Sequence, residues 1–147
     1  MKYIIKINDL HKAGSEKESS ELITTGSLRF FGEDYKIRYK ETSEGLEDCF
    51  VTLSCENGSC VTMTRSGSFT AQMIMEKGKR HTCIYETPVG TLSLGIYTHK
   101  VESSMTPEGG KLIFSYTLDA NGGFISDNTL EVTLEKIKEG LENELYC

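Results

Sequence analysis

Chemistry in this chain has to be sought among few side chains, because it holds only three histidines and five cysteines. His11 stands among Lys12, Ser15, Glu16 and Lys17, a polar setting that reads as a solvated loop. His81 lies two residues before Cys83 on a segment of alternating character, so both side chains point to one face of a strand. An imidazole and a thiolate give two ligands where zinc takes three or four, so the pair makes no metal site. As nucleophile and base they are also poorly placed, since residues i and i+2 of a strand lie roughly 7 Å apart and no third group orients the imidazole. The plainer reading is an inward histidine bonded to Tyr85, Tyr116 or a backbone carbonyl.

The remaining candidates are weaker. Glu102 with Glu108, and Asp119 with Asp127, are acidic pairs in loops, where carboxylates are ordinarily solvated. Gly109-Gly110-Lys111 lacks the strand-to-helix context and the glycine spacing of a phosphate loop, and reads as a tight turn opening a strand. No catalytic set, metal-ligand set or cofactor motif emerges, which puts an enzyme behind the other readings. What is left is a polar group on an otherwise apolar face: His81, Tyr85, Tyr116, Ser126 and Asn128. Buried polar groups need partners, and an apolar cavity with a few convergent polar groups is how small-ligand sites are built. The same residues can instead satisfy one another, or a buried water, inside a filled barrel.

The elements that must position these residues are strands. Glycines punctuate short segments rich in Val, Ile, Thr, Tyr and Phe, and helix signals are scarce. The segments are Lys2–Ile7, Glu21–Phe31, Tyr35–Glu41, Phe50–Cys55, Ser59–Thr64, Ser68–Met75, Lys79–Glu86, Thr91–Val101, Lys111–Asp119 and Gly123–Glu135. Their number and order predict an all-β chain forming one antiparallel up-and-down β-barrel of about 8–10 strands.

Four turns end on glycine: Glu56-Asn57-Gly58, Arg65-Ser66-Gly67, Glu76-Lys77-Gly78 and Ala120-Asn121-Gly122. Read as three-residue loops with a left-handed third residue, they pair Val61 with Leu53, Phe69 with Met63, Ala71 with Val61, Met73 with His81 and Leu118 with Phe124. A two-residue Asn57-Gly58 loop would set Leu53 against Thr62 and spoil the apolar face, so the three-residue reading is preferred. It places Cys55 beside Ser59 rather than Cys60. The inward face then collects, among others, Val51, Leu53, Val61, Met63, Phe69, Met73, His81, Phe114, Tyr116, Phe124 and Leu130, and the wet face Thr62, Thr64, Gln72, Arg80 and Glu131.

Composition bounds the rest. A length of 147 residues suits one domain, with a barrel core over about 1–136 and a short tail over 137–147. Twenty-two acidic against 16 basic residues give a net charge of -6, a field that repels nucleic acid and anionic membranes. Lys36, Arg38 and Lys40 share one strand face and read as solvated. Tyr3, Ile4 and Ile5 are too short an apolar run for a signal segment, and an odd cysteine count without repeated spacing suits reduced thiols. A cytoplasmic protein is expected, in which the glycosylation-like Asn57-Gly58-Ser59 goes unused.

The segment Glu76-Lys77-Gly78-Lys79-Arg80-His81, with Tyr85-Glu86-Thr87-Pro88-Val89-Gly90, Gly109-Gly110-Lys111-Leu112, Tyr116-Thr117-Leu118 and Asn128-Thr129-Leu130, resembles the YwiB-like family of bacterial proteins, a family of unknown function. The resemblance runs from the first strand to about Lys136 and is most specific from Arg65 to Gly90. It implies a calycin-like barrel, akin in architecture to lipocalins, in a bacterial cytoplasm, and it brings no activity, ligand or catalytic residue. The leading expectation is a binding protein for a small, partly apolar ligand. Phe69, Met73 and Phe114 would form walls, and His81, Tyr85, Tyr116 and Asn128 polar contacts, with no cofactor and no metal. The alternative is a non-catalytic structural or interaction module with a filled barrel, acting as a homodimer through its rim or a sheet edge.

Overall fold

Along β1 (Tyr3–Ala13) the odd residues Tyr3, Ile5 and Ile7 are buried while Lys2, Ile4 and Lys6 face out, and the same alternation recurs on later strands. The computed structural model describes residues 2–40, 49–67, 71–87, 90–121 and 123–137, without the side chains of 85–87. They form ten strands: β1, β2 (Glu16–Phe31), β3 (Asp34–Lys40), β4 (Phe50–Glu56), β5 (Cys60–Ser66), β6 (Ala71–Glu76), β7 (Arg80–Thr87), β8 (Gly90–Ser103), β9 (Gly109–Ala120) and β10 (Gly123–Lys136). Each pairs antiparallel with its neighbour in sequence, and β1 pairs with both β2 and β10, which closes the barrel. The all-β up-and-down barrel expected from the turn spacing is therefore the fold. The expected tail lies outside the described residues from 138 onward.

The hairpins differ in detail from the expected loops, and the difference is instructive. Asn57 and Gly58 both have positive φ, at 55° and 65°, and the Ser59 N–H donates to the Glu56 carbonyl at 3.1 Å, a primed two-residue turn. Ser59 is then one extra residue, so Glu56 pairs with Cys60 and Leu53 with Met63 rather than with Val61. Between β9 and β10 Asn121 also has a positive φ, at 53°, and Ala120 pairs with Gly123. A bulge between Phe124 and Ser126 restores the parity, as an extra residue in one strand does. Phe124, expected to face inward against Leu118, is paired with Asp119 and 57% exposed. The pairs Phe69 with Met63 and Ala71 with Val61 are also displaced, since Met63 pairs with Met73 and Arg65 with Ala71. Before the bulge the register is moved by one residue, which turns Phe124 outward; past the bulge and in the other hairpins the shifts are even, so the rest of the inward face survives.

The two barrel ends are built differently. At the end where β1 begins, Tyr3, Tyr35, Val61, Met75, Leu112 and Leu134 are buried in one apolar cluster. The Tyr3 hydroxyl donates to the Pro107 carbonyl at 2.7 Å, Tyr35 and Ser103 share a hydroxyl hydrogen bond of 2.6 Å, and the Phe30 and Tyr35 rings lie 5.3 Å apart. Gly110 is needed here: its φ is 149°, and a Cβ would stand 2.3 Å from the Ser104 carbonyl oxygen. This end is packed shut. At the other end β1 and β2 run on together through Ala13 and Glu16, and the inward positions become polar.

Candidate functional site

Extending the odd positions of β1 beyond Ile7 brings Asp9 and His11 to the inner side. On β10 the matching even positions are Ser126, Asn128 and Leu130, with His11 opposite Asn128 and Asp9 opposite Leu130. His11, expected in a solvated loop, is thus a strand residue, and its Nδ1–H donates to Asn128 Oδ1 at 2.7 Å. Asn128 Nδ2 in turn donates to Ser126 Oγ at 3.0 Å. This His11–Asn128–Ser126 chain satisfies buried amide and hydroxyl groups along one wall.

Beside it lies a cavity of about 450 Å³ at the open end. Ile7, Asp9, Leu130 and Tyr116 form the wall carried by β1, β10 and β9, and Ser20, Glu21 and Leu22 come from β2. Tyr39, Met63, Arg65 and Met73 close it from β3, β5 and β6. Since β1 and β5 are four strands apart around a ten-stranded barrel, the space crosses the lumen. Its size is in the range of small-molecule sites, and its lining is mixed: Ile7, Leu22, Met63, Met73 and Leu130 are apolar, while Asp9, Ser20, Glu21, Arg65, Tyr39 and Tyr116 carry polar atoms.

Electrostatics set Asp9 apart. Burial raises its carboxyl above the ordinary range, and the charge of His11 offsets this only in part. Asp9 Oδ1 is buried and has no hydrogen-bond partner among the described residues. Burial also pushes the Tyr116 phenol up, and the negative charge of Asp9 adds to the shift, so the two groups feel each other along that wall. Glu21 is paired with Lys6 at 3.5 Å.

Of the residues expected to form a site, Met73 and Tyr116 line this cavity. Asn128 is buried just beyond it, bonded to His11. Phe114 is fully buried core and stacks on Tyr116, with centroids 6.2 Å apart; it supports the wall rather than forming it. His81 pairs with Ile96 toward the packed end, but its ring is partly exposed and lies 2.9 Å from Glu76 Oε1 instead of meeting Tyr116. Hydrogen bonds from His81 and Lys79 hold the Glu76 carboxyl below its usual range. Phe69 lies outside the described residues, as does the side chain of Tyr85. Asp9 and Arg65, like Ser20, Glu21 and Tyr39, are cavity groups that the sequence does not single out. Continuing the alternation Tyr3, Ile5, Ile7 and Val61, Met63 by one step in each strand reaches the first two.

One further polar chain runs on the outer surface, where His99 Nε2 donates to Thr117 Oγ1 at 2.6 Å and Thr117 donates to Asp127 at 2.6 Å. In a nucleophilic triad the imidazole stands between hydroxyl and carboxylate. Here the hydroxyl stands in the middle with its proton held by the carboxylate, so it is not activated by the histidine. Among the described residues no three His, Cys, Asp or Glu side chains converge to hold a metal. No helix there is long and apolar enough to cross a membrane.

A family model described as a domain of unknown function, DUF1934, matches residues 5–132. Among solved structures, the ywiB protein from Bacillus subtilis is similar with a TM-score of 0.83 and 18% sequence identity, over 93% of this chain and 92% of that one. At that identity the likeness shows the barrel fold. No curated protein matches the sequence. With the model spanning all ten strands in whole or in part, the chain belongs to the DUF1934 family, the YwiB-like group of unknown function that its motifs resemble.

Proposed function

We propose that this protein binds a small, partly apolar ligand in the open end of its barrel. The observation that carries the reading is the cavity of about 450 Å³ in which Ile7, Leu22, Met63, Met73 and Leu130 surround the polar groups of Asp9, Tyr116 and Arg65. A barrel of this size that served only as a scaffold gains stability from filling its interior. Here one end is packed to that standard and the other holds a buried carboxylate oxygen beside empty space. A cytoplasmic setting accords with the free thiols of Cys49, Cys55, Cys60 and Cys83.

The test is native mass spectrometry of protein purified gently from its own source, repeated after denaturation and refolding. The expected result is a reproducible small-molecule adduct that refolding removes and that Tyr116→Phe or Met73→Ala weakens. A bare polypeptide mass in both preparations, with cavity variants indistinguishable from the parent, overturns the reading and favours an interaction module acting through its outer face.

A further inference from the structure

Asp9 sits where three hollows of the open end meet, the lumen cavity and two along β1 and β2. Its Oδ1 is an acceptor withdrawn from water with no donor among the described residues. The lining side chains of β2 that the register sets beside β1, and Tyr116 on the same wall, do not supply a compensating cation. Ser20 is neutral, Tyr116 is a phenol held protonated, and Glu21 is itself an anion paired outward with Lys6. Arg65 reaches the same lumen from β5, yet the positive charge that offsets burial at Asp9 is that of His11. Glu18 adds a further carboxylate to the mouth.

A ligand head must therefore bring donors and positive charge to Asp9. An ammonium has three donors and one charge, enough for the Asp9 oxygen and the hydroxyl oxygens of Ser20 and Tyr116. A neutral alcohol supplies one donor and leaves the buried charge with only the partial compensation of His11. A carboxylate places like charge against it. The chain's net charge of -6 favours the approach of cations in the same sense. We infer that the cavity takes a cationic amphiphile, a primary ammonium head bound by Asp9 with an apolar chain against Leu22, Met63 and Met73. This rests on the ligand-binding reading above and names the chemical class of its ligand.

Three probes of equal chain length isolate the head group: n-octylamine, 1-octanol and octanoate, titrated calorimetrically into the full-length protein at neutral pH. The expected order is amine tightest, then alcohol, then acid. Asp9→Asn should weaken the amine by roughly tenfold or more and leave the alcohol nearly unchanged. The comparison of heads on the unaltered protein needs no variant, so poor folding of Asp9→Asn does not spare the inference. Octanoate or octanol binding as tightly as octylamine overturns the ammonium assignment while leaving a ligand-binding barrel in place. An undiminished amine affinity in a folded Asp9→Asn does the same. Failure of all three probes to bind overturns the inference, and with a bare native mass it overturns the binding reading as well.

Discussion

A carboxyl raised by burial is a liability to a folded chain unless something uses it, and Asp9 is in that position. Its folded value lies above its unfolded one, so the folded state binds the proton more tightly. Asp9 then contributes least harm below the ordinary carboxylate range, and stability falls as pH rises through the folded value. Asp9→Asn keeps the shape and removes the charge. The variant should be more stable than the parent at neutral pH, by on the order of 1 kcal/mol, the low end of the cost of an unpaired buried polar group, since Asp9 is only partly buried. The gap should close as pH falls below the unfolded carboxylate value. Urea unfolding of both proteins across that range checks it: parallel curves, or a parent more stable than the variant at neutral pH, would show that Asp9 is compensated.

At the scale of elements, the barrel has one thin seam. Among the described residues β6 and β7 are recorded in register at a single pair, Ala71 with Tyr85, whereas β9 and β10 pair along nearly their whole length. The β6–β7 turn is drawn instead onto β8, where the Gly78 N–H donates to the Thr98 carbonyl at 2.8 Å and Lys77 forms an isolated bridge with Thr98. Backbone amides without ladder partners open at low free energy. Successive amides of β6 point alternately to β5, where Met73 and Ile74 are both in register, and to β7. The β6 and β7 amides that face the seam should therefore exchange fast beside Phe114 and Val132, and equal protection across all four strands would refute a weak seam. Little of this was legible in the sequence, because turn residues and apolar alternation specify which face a residue takes but not how far two strands slide. That is why the inward set was read correctly at Leu53, Val61 and Met63 while their partners were not. The Asn-Gly turns were visible, but the extra residue that follows each was not, and Phe124 fell on the wrong face for that reason. The site was obscured by a related assumption. Polar composition ended β1 at Ile7 and β5 at Thr64, yet backbone pairing carries both strands onward and turns Asp9 and Arg65 into the lumen.

The whole molecule divides its labour between the two ends of one barrel, and β6 crosses the division. Met75 is fully buried in the packed end, while Met73, two residues earlier on the same face of the same strand, borders the cavity. The pair compares the ends with side-chain type, strand and orientation held constant. Removing a buried methionine side chain forfeits its transfer from water and leaves a hole the surroundings fill only in part, about 2–5 kcal/mol for Met75→Ala. At Met73 the side chain already has empty space on one side, so fewer contacts are lost and a cavity is enlarged rather than created. Met73→Ala should cost about 1 kcal/mol or less by the lower contact loss. Urea midpoints at unchanged slope would report the two losses. A large cost at Met75 with a small one at Met73 means the open end contributes little to holding the barrel together, leaving its lining free to be set by what it binds. Equal large costs would mean that the open end is packed in solution, and the cavity would lose its standing as a site.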